Sequence, residues 1–123
     1  MLKLNEKTKK AFHDACEKIG RPESIDFSIF PEDMRDQSEA EYMLKVITEA
    51  KNEGWKADWN DPKQEKWISW FAFSTSGITQ NGARYGVLDT GAGYSSRLSF
   101  SEESIAESAG AELIELYEIA LNG

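Results

Sequence analysis

The chain has 123 residues, enough for one domain with a real core and too short for two. Its 40% hydrophobic and 29% charged composition is that of an ordinary globular protein, which excludes wholesale disorder. A net charge of -8 opposes broad attraction to nucleic acid or anionic membrane, and one His with one Cys leaves few residues for triads, metal cages or redox pairs.

Cys16 alone forms no internal disulfide, which points to a reducing, cytoplasmic setting. The basic start, residues 1 to 10, leads into Ala11, Phe12, His13 and Asp14 rather than an apolar run, so no export signal is expected. The densest apolar run, Trp67 to Phe73, is far shorter than the roughly 20 residues that span a bilayer, so no membrane contact is expected.

Ala11, Phe12, Ala15, Cys16 and Ile19 recur at helical spacing, which predicts a helix from about Glu6 to Ile19 closed by Gly20. Residues 21 to 37 carry two prolines and no period, and read as an ordered linker with Phe27, Ile29 and Phe30 as its anchors in the core. Ser38 with Glu41 reads as a capping box. It opens a second helix whose face is Ala40, Met43, Leu44, Ile47 and Ala50.

Beyond Gly54 the 3.6-residue period disappears. Trp67 to Ser74 is apolar at odd and even positions, as in a strand covered on both faces. Tyr85 with Val87, and Leu98 with Phe100, alternate around a turn region from Asp89 to Ser96. Ser101 then caps a single last helix with the face Ile105, Ala109, Leu113, Leu116, Tyr117 and Ala120. The predicted fold is α+β over residues 1 to 123: two N-terminal helices, a small antiparallel sheet of two to four short strands, and a C-terminal amphipathic helix.

Charge is segregated: +3 over residues 1 to 21, -7 over 22 to 65, +2 over 66 to 100 and -6 over 101 to 123. The last segment has six glutamates and no basic residue. That face, with Glu107, Glu115 and Glu118, is either a solvated surface or one that steers a basic partner.

Trp55, Trp59, Trp67 and Trp70 fall within sixteen residues, interleaved with Lys56, Lys63 and Lys66. Three readings fit: core packing where sheet meets helices, anchors for a protein partner, or stacking platforms for unpaired bases. On the last reading Lys56, Lys63, Lys66, Arg84 and Arg97 would meet phosphates.

Val87-Leu88-Asp89-Thr90-Gly91-Ala92 resembles the active-site motif of retroviral-type aspartic proteases, but too little chain follows it and a strand-end turn is the better reading. Asp58 to Asp61 lacks the spacing and glycine of a calcium loop, and reads as an Asx turn before Pro62. His13 and Cys16 lack a third group to orient them. They read as a surface His beside a core Cys, and neither a metal site nor a cofactor is expected.

Three blocks carry a family resemblance: Ala11 to Gly20; Asn52 to Asn60 continuing to Lys66-Trp67 and Trp70-Phe71; and Ser96 to Phe100 with Ala106-Glu107 and Ala109-Gly110. The chain resembles an uncharacterised family of short prophage and conjugative-element proteins of Bacteroides-type gut bacteria. It departs from that pattern at Trp67-Ile68, where the family has a tyrosine pair, at Ala57 and Ser69, where it has Pro, and at Ser99, where it often has a second Cys. The resemblance implies a mobile-element origin and a compact accessory protein, and supplies no catalytic residues.

The sequence thus predicts a non-enzymatic protein that binds a host or phage macromolecule, with single-stranded nucleic acid as the alternative ligand. The candidate contacts are Trp55, Trp59, Trp67, Trp70, Lys56, Lys66 and Arg97.

Overall fold

The computed structural model describes residues 2–75, 77–86 and 98–122. Its elements run α1 (Glu6–Ile19), α2 (Glu32–Asn52), β1 (Lys66–Ser74), β2 (Gly77–Gly86), α3 (Glu103–Glu112) and α4 (Ile114–Asn122), the predicted α+β order with the last helix divided.

α1 occupies the predicted span because both of its ends are local. The Asn5 side chain accepts from Thr8 N at 2.8 Å, and Gly20 at φ 71 donates to the Cys16 carbonyl at 2.9 Å. Phe12, Ala15 and Cys16 are buried against α2.

α2 starts earlier than the capping box predicts. Pro31 stands at its N-cap with φ -54, Glu32 and Asp33 occupy the positive first turn, and Ser38 lies inside the helix. Arg35 secures this start by donating from Nε to the Phe30 carbonyl at 2.9 Å and from Nη2 to that of Ser28 at 3.2 Å. The predicted face is correct, with Ala40, Met43, Leu44, Ile47 and Ala50 all buried. The predicted linker anchors are not: Ile29 is 81% exposed and Phe30 37%, and only Phe27 turns inward, its ring 6.2 Å from that of Tyr42.

β1 and β2 form an antiparallel hairpin from Lys66↔Gly86 to Ser74↔Gly77. The register shift between Ser69 and Phe71 leaves Trp70 opposite both Asn81 and Gly82, with Gly82 at φ 77. Trp67 and Phe100 exchange backbone hydrogen bonds of 2.9 and 2.8 Å, so a third strand is present as a single bridge. β1 is not covered on both faces as predicted. Its inner side meets the C-terminal helices through Ser69 and Phe71, while Trp70 and Phe73 remain 40% and 56% exposed. Val87 and the predicted turn from Asp89 to Ser96, with its protease-like motif, lie outside the described residues.

The C-terminal segment begins at Glu103, not behind a Ser101 cap, and breaks at Leu113, where φ is -112 and ψ 23. Leu116 and Tyr117 both donate to the Leu113 carbonyl, which closes the elbow. The break lets one apolar stripe serve two surfaces: α3 lies on the hairpin and α4 on α2. Ala106, Ala109, Leu113 and Leu116 are fully buried along it, together with Phe100 from the bridge. The acidic face of this segment is partly internal. Glu115 accepts from Asn5 N at 3.2 Å and from its side-chain amide, and Glu112 pairs with Lys51 at 3.3 Å.

Two substitutions separate these assignments in urea denaturation. Leu113→Ala is expected to cost about 2–5 kcal/mol, as for a large core side chain removed from a site that cannot collapse. Ser38→Ala is expected to change stability by less than about 0.5 kcal/mol, since no cap is lost; a loss of about 1 kcal/mol or more would restore the cap.

Candidate functional site

The connection between α2 and β1 carries most of the aromatic and basic residues singled out in the sequence, and it is a closed structure. Glu53 at φ 48 and Gly54 at φ 93 turn the chain out of α2. The predicted Asx turn is present twice: Asn60 N donates to Asp58 Oδ1 and Lys63 N to Asp61 Oδ1, each at 2.9 Å. The Gln64 amide ties the two sides together, accepting from Asp58 N at 2.6 Å and donating to the Lys56 carbonyl at 2.9 Å.

Lys66 sits at the centre of this loop and is fully buried. Its ammonium donates to the carbonyls of Asp61 and Gln64 at 3.0 and 3.1 Å and lies 5.1 Å from the centre of the Trp59 ring. Two carbonyl dipoles and an aromatic face thus replace water around the charge.

The seven predicted contacts therefore separate. Lys66 is structural and cannot reach a phosphate, and Trp59 is held over it half-buried. Trp67 is half-buried at the bridge and packs on the core. Trp55 is half-buried and Lys56 exposed at the loop surface. Trp70 is exposed on the hairpin, and Arg97 lies outside the described residues, as does the side chain of Arg84.

Beside Trp70 a cleft of about 310 Å³ opens between the hairpin and the end of α4, lined by Phe71, Phe73, Leu98, Tyr117, Ala120 and Leu121. Its inner wall is fixed by the Ser69 hydroxyl, which donates to the Ala106 carbonyl at 2.7 Å, and by the Phe71 and Tyr117 rings, 4.8 Å apart. Burial pushes the Tyr117 hydroxyl up to about 12, against a smaller opposing effect of the Ser69 hydrogen bond, so this wall stays neutral. Phe73 was not singled out in the sequence. An apolar run reads as core whichever of its side chains a helix goes on to cover.

A second cleft, of about 270 Å³, lies under the segment joining α1 to α2 and is lined by Leu4, Phe12, Ile25, Phe27, Tyr42 and Met43. The Tyr42 hydroxyl donates to the Pro22 carbonyl, Arg21 pairs with Glu49 at 2.9 Å, and Glu23 reaches His13 Nδ1 at 2.9 Å. Glu17 approaches the other ring nitrogen at 3.4 Å. His13 thus pairs with carboxylates rather than with Cys16, whose buried thiol points to the Pro22 carbonyl and has its pKa pushed up by burial. Among the described residues His13, Asp14 and Glu17 form the one group with ligand atoms close enough for a metal ion; all three are exposed and Lys10 already holds Asp14 at 2.6 Å. The i, i+4 spacing of His13 and Glu17 was the signal for their contact.

No family model, curated protein or solved structure matches the chain. Among the described residues no helix is long and apolar enough to cross a membrane.

Two measurements test this geometry. Lys66→Met keeps the stem and removes the ammonium, and is expected to lower stability by about 1.5 kcal/mol by unpairing two carbonyls while increasing the quenching of Trp59 by acrylamide. The Glu23 hydrogen bond, with the charges of Glu23 and Glu17, raises the His13 pKa above 6.5. The pairing therefore stabilises the fold fully below pH 6.5 and is lost as pH rises through the folded value. An NMR titration of the single imidazole is expected to show the raised value, and Glu23→Gln to bring it down.

Proposed function

We propose that the protein is a non-enzymatic binding module of a mobile genetic element, acting in a bacterial cytoplasm, that engages a host or phage protein through the exposed aromatic side chains of its hairpin. The observation that carries this reading is the exposure of Phe73 and Trp70, 56% and 40%, beside an apolar cleft whose inner wall is rigid. Aromatic side chains next to a preformed recess are the usual anchors of protein interfaces. The mobile-element origin is supported by the three resembling sequence blocks, and the reducing compartment by the free buried Cys16.

Two potential nucleophiles are already occupied, which supports a non-catalytic role. Cys16 is buried and protonated, and the Ser69 hydroxyl is bonded to a helix carbonyl. Burial of Lys66 weakens the single-stranded nucleic-acid reading, because it removes one cation from the aromatic block.

Affinity capture from lysate of a mobile-element-bearing host, with and without nuclease, tests the proposal. A protein retained by the wild type despite nuclease, and lost with Phe73→Ser and Trp70→Ala at unchanged circular dichroism, is the expected result. Retention that disappears with nuclease would assign the surface to nucleic acid instead.

A further inference from the structure

We propose that the turn at residues 26 to 30, with Met34 behind it, is a second docking surface, a rigid apolar knob for a protein whose apolar recess is rimmed by lysine or arginine. This surface is separate from the hairpin end and does not depend on the function proposed for it.

The turn is held rather than loose. Ser28 N donates to Asp26 Oδ1 at 2.9 Å and Phe30 N to the Phe27 carbonyl at 3.1 Å. Arg35 reaches back from the first turns of α2 to the carbonyls of Ser28 and Phe30, on either side of Ile29. The result presents an isoleucine at 81% exposure, with Phe30 at 37% and Met34 at 47%. The arginine fork fixes the backbone on either side of Ile29, and a β-branched side chain has few χ1 rotamers to lose, so binding costs little further ordering.

The surroundings select the partner. Asp26, in the turn, and Glu32, Asp33 and Asp36, in the start of α2 that follows it, are all exposed, and Arg35, the one cation between residues 22 and 36, has its guanidinium on backbone carbonyls. The Ser28 hydrogen bonds hold the Asp26 carboxyl below its usual pKa, so it stays charged. Nucleic acid or anionic lipid would bring anions against these carboxylates. A cationic rim around an apolar recess satisfies both features at once.

The test uses an amphipathic synthetic peptide with a leucine face flanked by lysines, its glutamate counterpart, and ¹⁵N NMR of the full chain. The lysine peptide is expected to shift the amides of residues 26 to 36 saturably. Ile29→Ser, which keeps every charge and alters an exposed side chain, is expected to weaken binding at least roughly tenfold at an unchanged melting temperature. Phe73→Ser is expected to leave this affinity unchanged, so failure here is distinct from failure at the hairpin. Equal binding by Ile29→Ser, shifts confined to the hairpin, equal binding of the glutamate peptide, or a dimer that Ile29→Ser dissociates would each overturn the proposal.

Discussion

The buried stripe of the C-terminal segment is the contact on which the other elements depend. A two-stranded hairpin cannot bury a face by itself, and α1 with α2 leaves the inner side of α2 uncovered. The stripe supplies both missing surfaces because the chain turns at Leu113, itself fully buried, between the half that lies on the hairpin and the half that lies on α2. The small residues Ala106 and Ala109 bring α3 close enough for its Ala106 carbonyl to accept from Ser69, and Tyr117 carries the contact onward to Phe71. Glu115 extends the same segment to the start of α1 through Asn5, so α1 and α4 are tied together.

Lys66 shows how a charge is used inside this frame. Among the described residues no carboxylate pairs with it, and its ammonium is satisfied by two carbonyls and the Trp59 face. Its position at the first residue of β1 and its bonds to the Asp61 and Gln64 carbonyls place the loop that precedes the hairpin. The price is one surface cation fewer, which leaves the aromatic block less suited to a polyanion and leaves the exposed Trp70 and Phe73 as its outward-facing part.

Both exposed apolar surfaces stand on rigid supports. The hairpin end is backed by the Phe71 and Tyr117 rings, and the knob at Ile29 by the Arg35 fork. Rigid support keeps apolar side chains from collapsing onto the molecule that carries them.

The span of α1 was legible because its period and Gly20 act within a few positions of one another, although the Asn5 cap was not read from the sequence. The buried faces of α2 and of the last segment were legible for the same reason, since periodicity is a local record of which side is covered. The start of α2 was not, because Ser38 and Glu41 satisfy a capping pattern equally well inside a helix, and what opened the helix was Pro31 with an arginine reaching back across the turn. Of the candidate contacts, the sequence by itself determined that aromatic and basic residues would share one stretch of chain. Only the tertiary structure decided that Lys66 is enclosed, that Ile29 stands in solvent and that Phe73 is left exposed at the edge of the cleft beside α4, because burial depends on what a distant segment covers and local spacing holds no record of that.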